Sequence, residues 1–319
     1  NILSLFTALL FISHPVHTEA VSYISGRSDP LALIFLLVSF IFYIKLSDKE
    51  ELASYVVMAS SYALALLTRE NSMILPVLIL MYHFTLRRKA NLKPFFIILL
   101  FALIYMTLRA TLLNFIHAKA IVDTTLLQRL PGSFAAIANY ARLLILPFDL
   151  RMEYGYIKTS FFDPKVIAGM AIFAGSVFYA LKRWRAEDRI IPFSILWFFI
   201  ALLPVLNIYP INAYMAEHWL YLPSIGFFLL AAKGVSLLYG MKNMRIAAIA
   251  ASAAILIFFS SLTISQNNYW KEPIAFYLRT LKYSPNNFGF YTNLGREYAA
   301  RQRPEEAIAC YKKAIEIEP

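Results

Sequence analysis

The sequence predicts an all-α protein, a polytopic membrane helical bundle followed by a short α-solenoid. Three observations predict it. Apolar residues fill 60% of the 319 positions and charged residues only 15%, against about 45–50% and about 25% in soluble domains. The apolar residues are gathered into blocks almost free of charge, and mean hydropathy is +0.60. The last 34 residues, 286–319, carry the small and aromatic residues of a helical repeat.

The blocks include Leu31–Leu46, Leu92–Leu108, Val166–Leu181, Ile190–Leu206, Ile225–Tyr239 and Ile246–Ile264. A spanning helix needs roughly 20 such residues. One or two blocks are compatible with a soluble core, but so many in succession are not. The chain opens on Asn1 inside a further apolar run, Ile2–Ile12, which reads as a fragment truncated at its N-terminus, with no cleavable signal pattern.

Lys and Arg concentrate in four short loops, Lys45–Glu51, Arg87–Lys93, Lys182–Arg189 and Met241–Arg245. The positive-inside rule places these in the cytoplasm. Two apolar runs separate the first pair of loops and two separate the last pair. Three lie between Lys93 and Lys182, which breaks the parity. The middle one, Phe134–Pro147, is the shortest and contains Asn139 and Arg142. It is therefore expected not to cross but to lie in or on the outer leaflet. This leaves about nine crossings, and His14–Asp29, Thr68–Ser72, Arg109–Pro164, Asn207–Ser224 and the repeat fall on the non-cytoplasmic side. The predicted division is a membrane domain over 1–265 and a repeat region over 266–319.

Pro285 and Pro319 are 34 residues apart, the tetratricopeptide period. Tyr291, Leu294, Gly295, Tyr298, Ala307, Tyr311, Ala314 and Pro319 occupy the signature positions in order. A full repeat is expected over 286–319, with a partial one over 271–285. Because each unit stacks on its neighbour, further repeats are expected beyond Pro319. Such arrays bind peptides or proteins in a groove, which implies a protein partner.

The charge of +11 sits in short loops between spans, so it points to membrane orientation and not to nucleic acid. The single cysteine, Cys310, excludes an internal disulfide or cysteine metal cluster and reads as a packed small residue. No Gly-rich phosphate loop, Ser/His/Asp order or zinc-protease motif is present.

Three polar clusters lie on the external side. The first runs from His14 to Asp29 and contains His17, Glu19 and Arg27. Two histidines at i, i+3 with a glutamate suit a divalent metal, but the favoured reading is capping and orientation of a helix at the membrane surface, so no metal is assigned. Arg27 and Asp29 read as a local pair. In the second cluster, Arg69-Glu70-Asn71 joins two spans with almost no loop. Charges there must be paired or face a polar cavity. The third, Asn212–Ser224, holds Glu217, His218 and Tyr221 among aromatics. It suits a sugar or lipid-phosphate pocket, and equally the aromatic belt of a membrane protein.

The segments His14-Pro-Val-His-Thr-Glu-Ala-Val21, Gly26-Arg-Ser-Asp29 and Ala216-Glu-His-Trp-Leu-Tyr-Leu-Pro-Ser224, followed by the repeat, resemble the transmembrane and tetratricopeptide-repeat-containing protein O-mannosyltransferases and their prokaryotic relatives. The resemblance covers nearly the whole chain. It implies a glycosyltransferase-C fold, a multi-pass location (bacterial or archaeal plasma membrane, or endoplasmic reticulum) and a polyprenyl- or dolichyl-phosphate sugar donor, with no cofactor. It also implies transfer to protein Ser or Thr on the external face, with the acceptor protein held by the repeats. The family's main catalytic acid is expected upstream of Asn1, so the fragment is expected to be inactive alone. Within the chain, Glu19 is the candidate second acid, and His14 and His17 shape the pocket. Arg27, Asp29, Arg69 and Glu70 line or brace it, and Glu217, His218 and Tyr221 lie near the lipid phosphate. His218 stands where the family usually has arginine, and a histidine is only partly protonated near neutral pH. The alternative is a non-catalytic membrane scaffold whose repeats recruit envelope or lumenal proteins. A transporter would need charges in mid-span and repeated halves, which the sequence lacks.

Overall fold

The structure is a computed structural model that describes residues 2–47, 49–89, 91–112, 125–154, 159–209, 211 and 213–318. Among these, every regular element is helical, apart from one antiparallel bridge between Tyr154 and Met215. The α-helices are α1 (Ile2–Ser13), α2 (Thr18–Ser22), α3 (Ser28–Leu46), α4 (Leu52–Thr68), α5 (Leu75–Leu86), α6 (Leu92–Thr111), α7 (Leu126–Ile145), α8 (Pro164–Arg183), α9 (Ile190–Leu202), α10 (Ser224–Gly240), α11 (Arg245–Lys271), α12 (Pro273–Tyr283), α13 (Phe288–Ala300) and α14 (Pro304–Ile317).

Four stretches, Ile24–Leu46, Leu92–Thr111, Pro164–Arg183 and Lys242–Lys271, are long and apolar enough to cross a membrane. Five shorter apolar stretches, Ile2–Ser13, Leu52–Thr68, Glu70–Leu86, Ile190–Val205 and Ser224–Gly240, stand at the other apolar runs of the sequence. Large apolar side chains such as Leu67, Phe84, Phe178 and Ile246 are more than two-thirds exposed on these helices. Water does not tolerate so much apolar surface, but lipid does. The chain is a multi-pass membrane protein.

Two cores hold the bundle. One packs α3, α4, α5 and α6 through residues such as Leu36, Met58, Leu78 and Ile98. The other packs α1, α7, α8, α10 and α11 through Leu10, Tyr140, Val166, Phe228 and Phe259. Helix α9 belongs to both. Trp197 and Ala201 face the first core, while Ile195, Phe198 and Leu202 face the second. This explains a helix that is apolar all round: neither side meets solvent.

Helix α7 differs from the spans. It begins well before Phe134, because a capping box between Thr125 and Gln128 starts it. Pro131 falls early in the helix and does not end it. At its start, the Arg129 guanidinium donates to the carbonyls of Asn207 and Ile208, at 3.1 and 3.0 Å. At its end, the Leu144 carbonyl meets His14 Nε2 at 3.2 Å. Asn207 follows α9 and His14 follows α1. Both ends of α7 are therefore held at the same end of the bundle. Helix α8 crosses it at Gly169, where an added Cβ would stand 1.8 Å from the Phe134 carbonyl oxygen.

Long-range bonds gather the rest of that end. Asp29 at the head of α3 pairs with Arg69 after α4, and Glu70 pairs with Arg109 near the end of α6. Thr263 and Asn267 of α11 bond to Ser13 and Ser22. The opposite end collects the basic loops. Lys93 meets Glu50 at 3.2 Å, Lys45 and Lys49 meet Glu51, and Lys233 pairs with Asp188.

The helical repeat sits on the first end. Its core is Ile274, Leu281, Leu294, Tyr298, Ala307 and Cys310. Helices α13 and α14 close tightly at Gly295, where a Cβ would come within 2.7 Å of the Tyr311 ring. Cys310 is buried in this contact. The repeat is fastened to the 147–154 loop, as Tyr283 Oη donates to Asp149 at 3.0 Å and Asn287 Nδ2 to Glu153 at 2.6 Å.

Candidate functional site

The polar segment after α1 folds as the short turn Pro15–His17, then α2, then the turn Ile24–Arg27. Pro15 sets the first turn. His14, His17 and Glu19 are all buried, and His14 also caps the first turn, as expected of this segment from the sequence. Their partners explain the burial. The Val16 N–H donates to His14 Nδ1 at 3.3 Å, so Nε2–H donates to the Leu144 carbonyl. His17 Nδ1–H donates to the Phe11 carbonyl at 2.7 Å, and Nε2 lies 3.0 Å from Ser224 Oγ. Burial pushes His14 down to about 3 and His17 down to about 4. Both rings are neutral struts, packed mostly edge-on among Phe11, Tyr221, Phe228 and Phe259. With both nitrogens of each ring engaged, neither offers a lone pair to an ion. Among the described residues no three His, Cys, Asp or Glu side chains gather as a metal cluster.

Glu19 reaches across the fold to the third cluster. Its Oε2 accepts the His218 backbone N–H at 3.1 Å, and its Oε1 accepts His218 Nδ1 at 2.8 Å. The carboxylate thus fixes both the backbone and the ring of His218. With Nδ1–H donating, Nε2 is left as the acceptor. His218 lines a cleft together with Asp29, Arg69, Asn71, Ser72 and Tyr221. The cleft has about 30 Å³ of free volume, more than one water molecule needs.

Asp29 and Arg69 form a two-pronged ion pair, Nε to Oδ1 at 2.7 Å and Nη2 to Oδ2 at 2.9 Å. This corrects the local Arg27–Asp29 pairing expected from the sequence. Asp29 is at the start of α3, where its side chain turns towards α4, and Arg27 instead donates to the Val21 carbonyl at 3.3 Å. Glu70 is not the partner of Arg69 but of Arg109, at 3.5 Å, and is half exposed.

Glu217, next to His218 in sequence, points the other way. Its Oε1 accepts the Arg151 N–H at 2.5 Å and the Tyr154 hydroxyl at 2.6 Å. Burial first, and then the charge of Glu19, hold its carboxyl well above the usual carboxylate range. Burial, then Glu217 itself, raises the Tyr154 phenol. Glu217 therefore ties the third cluster to the 147–154 loop and through it to the repeat, and does not line the cleft. Of the sequence candidates, the structure brings Asp29, Arg69, His218 and Tyr221 to one cleft with Glu19 behind it. His14, His17 and Glu217 form the surrounding frame, and Arg27 and Glu70 lie outside. Asn71 belongs to the second polar cluster read from the sequence, whereas Ser72, Arg151 and Tyr154 were not singled out there. Ser72 adjoins that cluster, and Arg151 and Tyr154 fall in a loop without a repeating pattern. Asn212 lies outside the described residues.

Comparison with known proteins gives this arrangement a relative. The tetratricopeptide repeat family matches residues 290–319. The chain is 29% identical to "Protein O-mannosyl-transferase F38B6.6" of Caenorhabditis elegans, over 98% of this chain and 45% of that protein. The chain is thus similar to proteins named as protein O-mannosyl-transferases. It is also 23% identical to protein O-mannosyl-transferase TMTC3 of Mus musculus, over 99% of this chain and 39% of the relative. For TMTC4 of Homo sapiens the figures are 26%, 97% and 48%. The chain thus spans less than half the length of these O-mannosyl-transferases. No solved structure matches it.

Proposed function

We propose that the chain forms part of a glycosyl-transfer centre that moves a sugar, mannose by analogy with the relatives' names, from a polyprenyl-phosphate or dolichyl-phosphate donor to a protein Ser or Thr. The cleft faces the non-cytoplasmic side, together with the repeat, because the basic loops lie at the opposite end. The single observation that carries the reading is the Glu19–His218 pair opening on a cleft beside the Asp29–Arg69 pair. A carboxylate that fixes an imidazole is the arrangement used to take a proton from a hydroxyl. In the proposed step the acceptor oxygen bonds to the sugar's anomeric carbon as its proton passes to His218 Nε2. The carbon–oxygen bond to the lipid phosphate breaks, and the phosphate leaves with the bonding electrons. The imidazolium so formed is stabilised by Glu19 and lies beside the departing anion. Arg69, both prongs of its guanidinium on Asp29, shapes the cleft. Tyr221 closes it against the ring of Phe11, with centroids 5.0 Å apart. The repeat holds the acceptor protein.

The test is transfer from a lipid-phosphate sugar to a Ser/Thr peptide by the full-length protein in vesicles. Glu19→Gln and His218→Ala are each expected to slow transfer by about 10²-fold or more, the usual contribution of a positioned base. Unchanged transfer in both variants overturns the assignment. If the wild-type protein also transfers nothing while its repeats bind protein partners, the scaffold reading replaces the catalytic one.

A further inference from the structure

A second polar hollow lies apart from the cleft, where the end of α11, helix α12 and the 147–154 loop meet. Arg151, Gln266, Tyr269, Trp270, Arg279 and Thr280 line it. The lining holds two cations and no carboxylate. The Arg151 guanidinium lies between the rings of Tyr154 and Tyr283, at 4.5 and 5.0 Å. Among the described residues it has no ion pair, and its Nε is buried without a hydrogen-bond partner. The indole N–H of Trp270 is likewise buried and unpartnered. Arg279 stacks on Tyr269 at 4.0 Å and spends one N–H on Gln266 at 2.8 Å. Glu217 is within electrostatic reach of Arg279, but its Oε1 is occupied by the Arg151 N–H and Tyr154. Asp149 and Glu153 are engaged by Tyr283 and Asn287.

Buried donors without partners are rare and costly. A water molecule would answer an N–H, but it would bring no charge to a lining that holds two guanidinium groups and no carboxylate. An oxyanion answers both needs. The enclosed space, about 10 Å³, admits about one oxygen atom, so one oxygen of a larger group enters and the rest stays outside. The hollow also stands at a definite depth. Helix α11 is among the stretches able to cross a membrane, and Tyr269 and Trp270 in its last turn are the residues that mark headgroup level.

We propose that this hollow binds a phosphate oxygen of a membrane-lipid headgroup at the joint between the bundle and the repeat, separate from the donor cleft. Arg279 and Arg151 supply charge, and the Trp270 N–H supplies a directed bond. The test uses full-length protein, delipidated in detergent. Dihexanoyl phosphatidylglycerol and inorganic phosphate are the probes, with binding read by native mass spectrometry. The wild-type protein is expected to retain the lipid, and Arg279→Gln to bind it about tenfold more weakly, as a lost charge-assisted bond implies. Trp270→Phe removes the unpartnered N–H together with part of the ring that packs against Tyr23 and Phe276. It is expected to weaken lipid binding several-fold, and the lipid-free melting temperature measured beside it reports the packing loss separately. Equal lipid binding by all three proteins overturns the site. Binding of inorganic phosphate without lipid overturns the lipid as its source.

Discussion

The two ends of the bundle solve the problem of charge near a membrane in opposite ways. At the basic end, Lys93 and Glu50 meet with their side chains 74% and 51% exposed, and Lys49 and Glu51 likewise remain in water. At the other end Glu19, Glu217, His14 and His17 are almost wholly buried, each with named partners. The first arrangement needs only sign and position, because water carries most of the electrostatic work. The second depends on geometry, because in a low dielectric an unmade bond is not forgiven. The buried acidic side chains and their directed bonds stand at the second end.

Acid separates the ends most strongly. His14 and His17 titrate far below their ordinary 6.5 in the folded chain, at about 3 and about 4. Below pH 6.5 the unfolded chain binds protons that the folded one refuses. Stability is therefore full above that pH and falls as pH drops towards 4. Between pH 6.5 and 5 each histidine is expected to withdraw about 2 kcal/mol. Thermal unfolding against pH checks this, and a His14→Phe/His17→Phe double variant should flatten the slope. A slope unchanged in that variant would assign the acid sensitivity elsewhere.

The next contrast is between ion pairs. Asp29→Ala strands Arg69, whose side chain is 27% exposed. The expected cost is about 2 kcal/mol, below the range for a fully buried partner because solvent still reaches the arginine. Lys93→Ala should cost less than about 0.5 kcal/mol. Denaturation of the two variants side by side measures the difference, and equal costs would break the distinction between the ends. The smallest effect concerns Glu217. Its raised pKa means that the folded state prefers the protonated form. Its contribution is complete below about pH 4.5 and is lost as pH rises through the folded value. Glu217→Gln keeps the acceptor oxygen for Arg151 and Tyr154 and cannot ionise. It should match the parent in acid and exceed it modestly above neutrality, as melting curves at pH 5 and 8 will show.

This contrast also governs what was legible in the residues alone. Hydropathy blocks reveal the helices that face lipid, because lipid selects composition along a whole segment. The 34-residue period reveals the repeat, because Gly295 must meet Tyr311 wherever the unit occurs. The three polar clusters were visible as clusters. Their pairings were not, since Asp29 chooses Arg69 over Arg27, and Glu70 chooses Arg109, through helix placement and not through spacing. The Arg151–Tyr154 link to Glu217 had no signal at all. It rests on one backbone N–H and one hydroxyl in a loop, and neither leaves a pattern in composition.

The distance along the chain between Glu19 and His218 also sets a timetable. The two are 199 residues apart, and His17 and Ser224 are 207 apart. At about 5–20 residues per second of synthesis, the segment after α1 emerges roughly 10–40 s before its partners exist. During that interval Glu19 lacks His218 and His17 lacks Ser224, while the local bonds of His17 to Phe11 and of His14 to Val16 are already available. The segment after α1 must wait in an open form, and the site closes only once the residues before α10 have been made.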